Sequence, residues 1–223
     1  MNICAVIPAY NEAKTIGYLV EETKNKGFHV LVIDDGSSDS TGRIAKEKGA
    51  MVLRNEKTVG KGASLRKGFD FIVQENYDGI ITIDGDGQHD PEDLPRFIEK
   101  INQSDAKVII GNRMFRTRNM PFIRWCTNKI MSSFISAICR QYIPDTQCGF
   151  RYINTEALKS FELSTSNFEI ETEVLIEARK KGFRIYFVPI KTIYQDQKSR
   201  INPFLDTIRF FGFIFRKKWT PKS

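Results

Sequence analysis

Three aspartates lie close together in the stretch "ITIDGDGQHDPEDL", residues 81–94. Asp84 and Asp86 alternate around Gly85 directly after an apolar, β-type run, and Asp90 follows four residues later. Carboxylates at this spacing repel one another unless a cation lies among them. Hard carboxylate oxygens favour Mg²⁺ or Mn²⁺ over zinc, and Mg²⁺ completes its shell with water and phosphate oxygens. The spacing therefore predicts a divalent-metal site that holds a diphosphate.

Other metal- and nucleotide-binding motifs do not fit the chain. An EF-hand loop that begins at Asp84 requires a glutamate at the position of Pro95. The glycine-containing stretch at residues 59–68 is not a P-loop, because Gly62 rather than Ser or Thr follows Lys61. The four cysteines are scattered without a CxxC pair, which argues against a zinc site and favours reduced cysteines in a cytosolic protein.

The elements that must position these aspartates alternate between strand and helix. Val- and Ile-rich runs predict strands at 3–8, 28–34, 51–53, 79–84, 107–111 and 184–190. Helical patterns lie near 12–25, 39–48, 61–76, 91–103, 121–140 and 168–181. This order predicts an α/β fold with a single doubly wound, mostly parallel sheet and helices on both faces.

Polar clusters follow three of the predicted strands. They are "PAYNE" at 8–12, "DDGSSDST" at 34–41 and "DGDGQHD" at 84–90. Ligands of open α/β sheets bind beyond the carboxyl ends of the strands. We therefore expect the three clusters to meet at one edge of the sheet and to form one site there.

The charge of the chain is unevenly distributed. Residues 1–106 carry 13 Lys and Arg against 18 Asp and Glu, whereas residues 107–223 carry 21 against 9, so net charges of −5 and +12 sum to +7. A basic second half suits an anionic partner such as phosphate, nucleic acid or an acidic membrane surface. Nucleic acid is disfavoured, because this half shows no helix-turn-helix or RNP-like pattern.

No run of the chain approaches the roughly 18 apolar residues that a membrane span requires. The start, "MNICAVIPAY", has no basic segment followed by an apolar one of adequate length, which predicts no signal peptide. No linker or repeat divides the sequence. We expect one domain over residues 1–202, with a nucleotide-sugar and metal half at 1–111 and an acceptor half at 112–202, followed by a tail at 203–223.

Five motifs, in their order and spacing, resemble those of the family 2 glycosyltransferases, and within them those of the dolichyl- or polyprenyl-phosphate sugar synthases. The motifs are "PAYNE" (8–12), "DDGSSDST" (34–41), "IDGDGQHDP" (83–91), "GNR" (111–113) and "DTQCGFR" (145–151). The resemblance runs from about residue 3 to 209. It implies the Rossmann-like nucleotide-diphospho-sugar transferase fold and transfer of one sugar, with inversion, to a polyprenyl phosphate.

The resemblance also implies donor-binding and metal-binding residues. The metal triplet comprises Asp84, Asp86 and Gln88, with Mg²⁺ or Mn²⁺ as the cofactor. The donor-binding set comprises Pro8, Tyr10, Glu12, Ile33, Asp34, Asp35, Gly85, Lys198 and Arg200. Other interpretations stay open for part of this set: Pro8 and Tyr10 end a strand and pack, and Asp34 or Asp35 caps the following helix. Asp39 and Ser40 are further candidates for that cap.

Basic residues are implied at the acceptor. Arg113, Arg124 and Arg151 match positions around the acceptor phosphate, and arginine suits forked phosphate contacts. Cys148 departs from the serine of many relatives, which weakens a side-chain phosphate contact there. Glu173 matches an acidic position of a late helix, with a solvated helix face as the alternative.

Two other functions stay open at this level. An acceptor hydroxyl, unlike a lipid phosphate, requires a carboxylate base, for which Asp90 and Asp145 are candidates. A non-catalytic nucleotide-sugar sensor is the third reading, and an intact metal site argues against it.

The tail at 203–223 has an amphipathic pattern. Pro203 opens it, apolar residues recur at steps of three and four, and Arg216, Lys217 and Lys218 follow. Such a segment binds membrane interfaces. Two interpretations stay open: the tail holds the enzyme peripherally at the cytoplasmic face of a membrane, or it packs against the domain or a second copy of the chain.

Overall fold

The computed structural model describes residues 1–115, 120–193 and Gly212. The described strands are β1 Ile3–Ala9, β2 His29–Asp34, β3 Met51–Arg54, β4 Gly79–Thr82, β5 Val108–Asn112, β6 Arg151–Asn154 and β7 Ile185–Pro189. The described helices are α1 Ile16–Asn25, α2 Thr41–Glu47, α3 Lys61–Gln74, α4 Leu94–Asn102, α5 Phe122–Cys139, α6 Thr155–Ser160 and α7 Ile170–Lys180. The tail at 203–223 lies outside the described residues except for Gly212.

The strands form one seven-stranded sheet in the order β3-β2-β1-β4-β6-β5-β7. Strands β3, β2, β1 and β4 run parallel, and β5 pairs in parallel with β7. All seven residues of β1 are buried, because this central strand is covered on both faces. The predicted doubly wound, mostly parallel sheet is confirmed, and the polar segments after β1, β2 and β4 leave it at the same edge.

Strand β6 was absent from the sequence prediction. It lies antiparallel between β4 and β5, so these two strands are not neighbours. Only four residues long, β6 is too short to give a clear periodic pattern, and its pairing depends on strands far away in the sequence. Its position brings the preceding loop onto β4, where the Thr82 hydroxyl donates to the Gly149 carbonyl at 2.6 Å.

Two predicted helices begin later than the sequence pattern indicated. Residues 12–15 form a turn in which the Glu12 carbonyl accepts from the Thr15 and Ile16 amides, and α1 follows. Before α4, a short 3₁₀ turn spans Pro91–Asp93, and the Asp90 carboxylate caps it by accepting from the Glu92 amide. At α2, Asp39 caps rather than Ser40, because its carboxylate accepts from the Thr41 amide at 2.9 Å.

Glu173 fixes a loop from inside α7. Its side chain is fully buried, and its carboxylate accepts from the backbone amides and hydroxyls of Ser164 and Thr165 at 2.7–2.9 Å. The interpretation of Glu173 as a solvated helix residue is therefore wrong. The loop it holds packs on the start of α3, where a Cβ added to Gly62 would lie 2.7 Å from the Asn167 carbonyl oxygen.

We predict that Glu173→Ala lowers the free energy of unfolding by about 2–4 kcal/mol, because it leaves the amides and hydroxyls of Ser164 and Thr165 without their acceptor. Chemical denaturation followed by circular dichroism measures the change. Glu162→Ala is the matched control, since the Glu162 side chain is 84% exposed and lies 3.7 Å from Lys181. Equal unfolding midpoints for the two variants would refute the structural role of Glu173.

Candidate active site

The three polar segments meet at the carboxyl edge, as the sequence predicted. The Asn11 and Glu12 amides of the first segment donate to the hydroxyls of Ser37 and Thr41 at 2.9 and 2.8 Å. The Thr15 hydroxyl, just beyond that segment, donates to the Gly85 carbonyl at 2.6 Å. One hydrogen-bonded rim therefore joins the ends of β1, β2 and β4.

The predicted donor residues of β1 lie beside the aspartate turn. Pro8 is buried, and a Cβ added to Gly85 would lie 2.9 Å from the Pro8 carbonyl oxygen. Gly85 thus lets the turn rest directly on β1. Tyr10 is 38% exposed at this edge, and Glu12 is half-buried.

Asp34 lies under the start of α2. Its carboxylate is fully buried, accepts from the Ser37 amide at 2.9 Å and lies 3.2 Å from Arg54 Nη1. A Cβ added to Gly42 would lie 2.5 Å from the Asp34 Oδ2 atom, so glycine is required at this close approach. These contacts favour the structural interpretation of Asp34, whose neighbour Ile33 is fully buried in the core.

Asp35 holds the loop that leads into α3. Its carboxylate accepts from the Val59 and Gly60 amides, both at 3.0 Å, and from the Asn55 side chain at 2.9 Å. The residue is 5% exposed. Asp35 therefore connects the end of β2 to the start of α3, whose first residue is Lys61.

Asp84 is surrounded by two basic side chains and a glycine. Lys61 Nζ lies 2.6 Å from its Oδ1 atom, and His89 Nε2 lies 3.4 Å from Oδ2. A Cβ added to Gly149 would lie 2.5 Å from both carboxylate oxygens. Burial disfavours the charged carboxylate, but Lys61 and His89 outweigh that cost and hold the pKa of Asp84 well below its usual range.

Lys61 is a site residue that sequence reasoning did not identify. Its ammonium lies 2.6 Å from both Asp84 and Glu171 and 5.7 Å from the ring centroid of Phe168. Burial opposes the charged ammonium, yet the two carboxylates raise the pKa of Lys61 above that of a free lysine. The available signal was the glycine-flanked stretch "VGKGAS", which fails as a P-loop but places one lysine at the start of a helix.

The metal triplet has the donor chemistry of a hard divalent ion. Asp84 and Asp86 supply carboxylates, and the Gln88 side chain supplies an amide oxygen. The backbone N–H of Gln88 donates to the Asp86 carboxylate at 3.0 Å. Within residues 1–115 and 120–193, no three His, Cys, Asp or Glu side chains cluster so as to hold an ion by themselves. By its donor chemistry the set fits Mg²⁺ or Mn²⁺, which take one or two carboxylates and complete their shell with water and phosphate.

Arg113 is fixed by Asp145. The guanidinium donates to both carboxylate oxygens at 2.7 and 2.9 Å, and the Arg113 amide donates as well. Asn128 of α5 donates to the same carboxylate at 2.8 Å. Burial disfavours the charged form, but Arg113 lowers the pKa of Asp145 below its usual value. The pair sets a rigid, half-buried cation at the end of β5.

The other two predicted acceptor arginines occupy different surroundings. Arg124 of α5 is half-buried and donates to the Gln88 side chain at 3.3 Å, so it lies beside the metal triplet. Arg151 is 2% exposed and donates to the carbonyls of Cys148, Thr146 and Glu171. Its guanidinium holds the loop before β6, which favours a structural role over contact with an acceptor.

The two candidate bases, Asp145 and Asp90, also differ in their burial and in their partners. Asp145 is fully buried and engaged by Arg113 and Asn128, which disfavours it as a base. Asp90 is half-buried and accepts from the Glu92 amide at 3.0 Å. Lys198 and Arg200 lie outside the described residues, so their donor role stays a prediction.

A sequence profile described as glycosyl transferase family 2 matches residues 4–161, more than half of the chain. The chain belongs to family 2 of the glycosyltransferases. The metal triplet, the acidic residues after β2 and the first-strand motif all lie within the matched range.

Relatives and solved structures agree with this assignment. The chain is 30% identical to a UDP-N-acetylglucosamine–dolichyl-phosphate N-acetylglucosaminyltransferase of Methanococcus voltae, over 87% of this chain and 86% of the relative. It is 29% identical to the polyprenol monophosphomannose synthase of Mycolicibacterium smegmatis, over 83% and 75% of the two chains. Glucosyl-3-phosphoglycerate synthase from Mycobacterium tuberculosis, crystallised with Mn²⁺, UDP and phosphoglyceric acid, has the same fold, with a TM-score of 0.76, 19% identity and coverage of 100% and 80%.

We predict that Lys61→Met lowers the free energy of unfolding by about 3 kcal/mol, because it leaves the half-buried Asp84 and the buried Glu171 without their shared cation. Chemical denaturation without divalent ions measures the loss. Lys46→Met, at an exposed position of α2, is the control and should stay near the parent value.

Adding Glu171→Gln to Lys61→Met should recover part of the lost stability, since one of the two unpaired carboxylates becomes neutral. If Lys61→Met unfolds at the same midpoint as Lys46→Met, the buried ion pairs do not support this edge of the sheet.

Proposed function

We propose that this enzyme transfers one sugar from a nucleotide diphosphate sugar, of the GDP-mannose or UDP-glucose type, to the phosphate of a polyprenol, with inversion. The observation that carries the proposal is a pair of arginines, one beside the metal triplet and one at the end of β5. Arg124 contacts Gln88, and Arg113 stands rigidly paired at the end of β5. Two guanidinium groups suit an acceptor that is itself an anion.

The donor would lie across the edge from the β2 end to the aspartate turn. Asp84, Asp86 and Gln88 would hold Mg²⁺ or Mn²⁺, which when bound neutralises charge on the departing nucleoside diphosphate. The solved neighbour that contains Mn²⁺ and UDP supports this arrangement. Asp35 positions the 59–60 backbone and Lys61 positions Asp84, so this chain's own residues preset the edge before the donor binds.

Lys198 and Arg200 would complete the donor site. Ile193, the last described residue before them, donates its amide to the Gln88 carbonyl at 3.0 Å, and Thr192 pairs with His89. Lys198 follows Ile193 by only five residues, and five extended residues reach at most about 18 Å. The chain that leads to Lys198 therefore starts beside Gln88 of the metal triplet.

A lipid-phosphate acceptor needs no strong base. A monoalkyl phosphate with a second pKa near ~6 is largely a dianion at neutral pH, so its oxygen attacks directly. The engagement of Asp145 by Arg113 agrees with this, because it makes one of the two candidate bases poorly suited to proton transfer. A hydroxyl acceptor remains the second candidate function, with Asp90 as its base.

We also propose that the enzyme works peripherally at the cytoplasmic face of a membrane, where its acceptor resides. The basic second half of the chain and the relatives named for dolichyl and polyprenyl acceptors support this. No helix within the described ranges is both long and apolar enough to span a bilayer. The tail at 203–223 stays a candidate anchor and a candidate surface for self-association.

The donor and the metal are tested by a panel of GDP-mannose, UDP-glucose and UDP-N-acetylglucosamine with polyprenyl phosphate and Mn²⁺, with detection of the lipid product. We expect one donor to be used, EDTA to abolish turnover reversibly, and Asp86→Asn to lower turnover by about 100-fold or more while the protein stays folded. Full activity in excess EDTA would contradict the metal assignment.

The acceptor site is tested by comparing Asp145→Asn with the double variant Arg113→Ala/Asp145→Asn. Both lose the buried ion pair, so they share its structural cost, but only the double variant lacks the guanidinium. We expect the double variant to show a KM for polyprenyl phosphate about tenfold higher than that of Asp145→Asn, with little change in the KM for the donor. Equal use of a dephosphorylated polyprenol would instead favour the hydroxyl acceptor.

A further inference from the structure

Helix α5 buries two polar side chains beside Met131, Ile135 and Cys139, and it exposes several large apolar ones. Its buried positions include Asn128 and Ser132, which are 4% and 5% exposed. On the solvent side, Phe122, Ile123 and Ile130 are 75%, 71% and 56% exposed. A helix that packs on a soluble core normally shows the opposite arrangement.

The buried polar residues of α5 have a defined purpose. Asn128 donates to Asp145, and the Ser132 hydroxyl donates to Asn128 at 2.8 Å while accepting from the Thr146 amide at 3.1 Å. These bonds hold the Arg113–Asp145 pair. The inner face is therefore explained by the acceptor site, whereas the exposed apolar residues contribute nothing to the core.

The exposed apolar residues form one surface, which we call the α5 outer face: Phe122, Ile123 and Ile130. Ile123 and Ile130 are seven residues apart, which places them on the same side of the helix two turns apart. Phe122 stacks on Trp125 with ring centroids 6.0 Å apart. Phe115, in the 3₁₀ turn directly after Arg113, is a further exposed aromatic residue at 67%.

The segment that contains this face carries charge of a single sign in the sequence. From Ala106 to Pro144 the sequence contains no Asp or Glu, and its basic residues are Lys107, Arg113, Arg116, Arg118, Arg124, Lys129 and Arg140. The exposed Lys129 lies with its ammonium 5.4 Å from the Trp125 ring centroid. Aromatic and aliphatic side chains flanked only by cations are typical of segments that lie in the interface of an anionic bilayer.

We propose that the α5 outer face docks on the surface of an anionic lipid bilayer. Its first turn carries Arg124, which contacts the metal triplet through Gln88, so docking here would bring the acceptor site to the level of the lipid phosphates. The inference rests on the proposed function, because docking serves the enzyme only if its acceptor is a lipid. The binding itself follows from the apolar and basic surface and is measured without turnover.

The test is co-sedimentation of the full chain with vesicles of phosphatidylglycerol and phosphatidylcholine, and with phosphatidylcholine alone. We expect binding to the anionic vesicles, and for Ile123→Gln/Ile130→Gln a vesicle dissociation constant about tenfold or more above that of the parent. Both positions are exposed and glutamine is a good helix former, so thermal unfolding should not change. The matched control is Tyr18→Gln, 55% exposed on α1, which packs on α2 and β2.

Further arms separate the competing explanations. The double variant should retain donor binding and turnover on a short, soluble polyprenyl phosphate, and lose turnover on a long-chain acceptor in vesicles. Unchanged vesicle binding by the double variant overturns the inference. If a chain ending at Asn202 then loses binding, the tail alone is the anchor. A shift from dimer to monomer in analytical ultracentrifugation, with vesicle binding unchanged, would assign the face to a second copy and also overturn it.

The proposed function can fail separately. If the face governs vesicle binding but no donor yields a lipid product, then the docking surface stands and the lipid-phosphate acceptor does not.

Discussion

The ion pair between Lys61 and Asp84 is the interaction on which the arrangement of the active site depends. The Asp84 carboxylate, just after β4, carries negative charge at the edge of the sheet, and Lys61 balances that charge at 2.6 Å. Glu171 of α7 holds the same ammonium at 2.6 Å, so three elements that are distant in sequence converge on one cation. Pairs of this kind are costly to break and add little to stability over apolar packing, which suits a site maintained for its chemistry.

Several neighbouring contacts serve to place that cation. Asp35 fixes the amides of Val59 and Gly60 just before α3, and the loop held by Glu173 packs on Gly60 and Gly62 from the other side. The start of α3 is therefore fixed from β2 and from α7 together. Two of these anchors, Asp35 and Glu173, are buried carboxylates that accept from backbone amides, so each fixes a loop beside α3.

The sequence was sufficient for features that depend on local pattern. The continuous Val and Ile runs of β1, β2 and β4 identify buried parallel strands, and the polar segments after them identify the edge where the site lies. It was insufficient where pairing is long-range. The four residues of β6 carry no periodic pattern of their own, and Lys61 becomes a site residue only when α3, β4 and α7 are folded together. Arg151 shows the converse, since its motif suggests the acceptor while burial assigns it to backbone carbonyls.

The buried polar residues of α5 follow from the same need for a fixed cation. Arg113 is half-buried, so it requires the fully buried Asp145, and Asp145 in turn requires a polar partner from the helix that covers it. Asn128 and Ser132 meet that need at positions where a soluble helix would place apolar side chains. Apolar residues on the outer side of α5 would expose hydrophobic surface to water unless another surface covers it. In the docking that we propose, a bilayer that contains the acceptor would cover this face and also supply the substrate, so the inner side of α5 would serve the charge pair and its outer side the lipid.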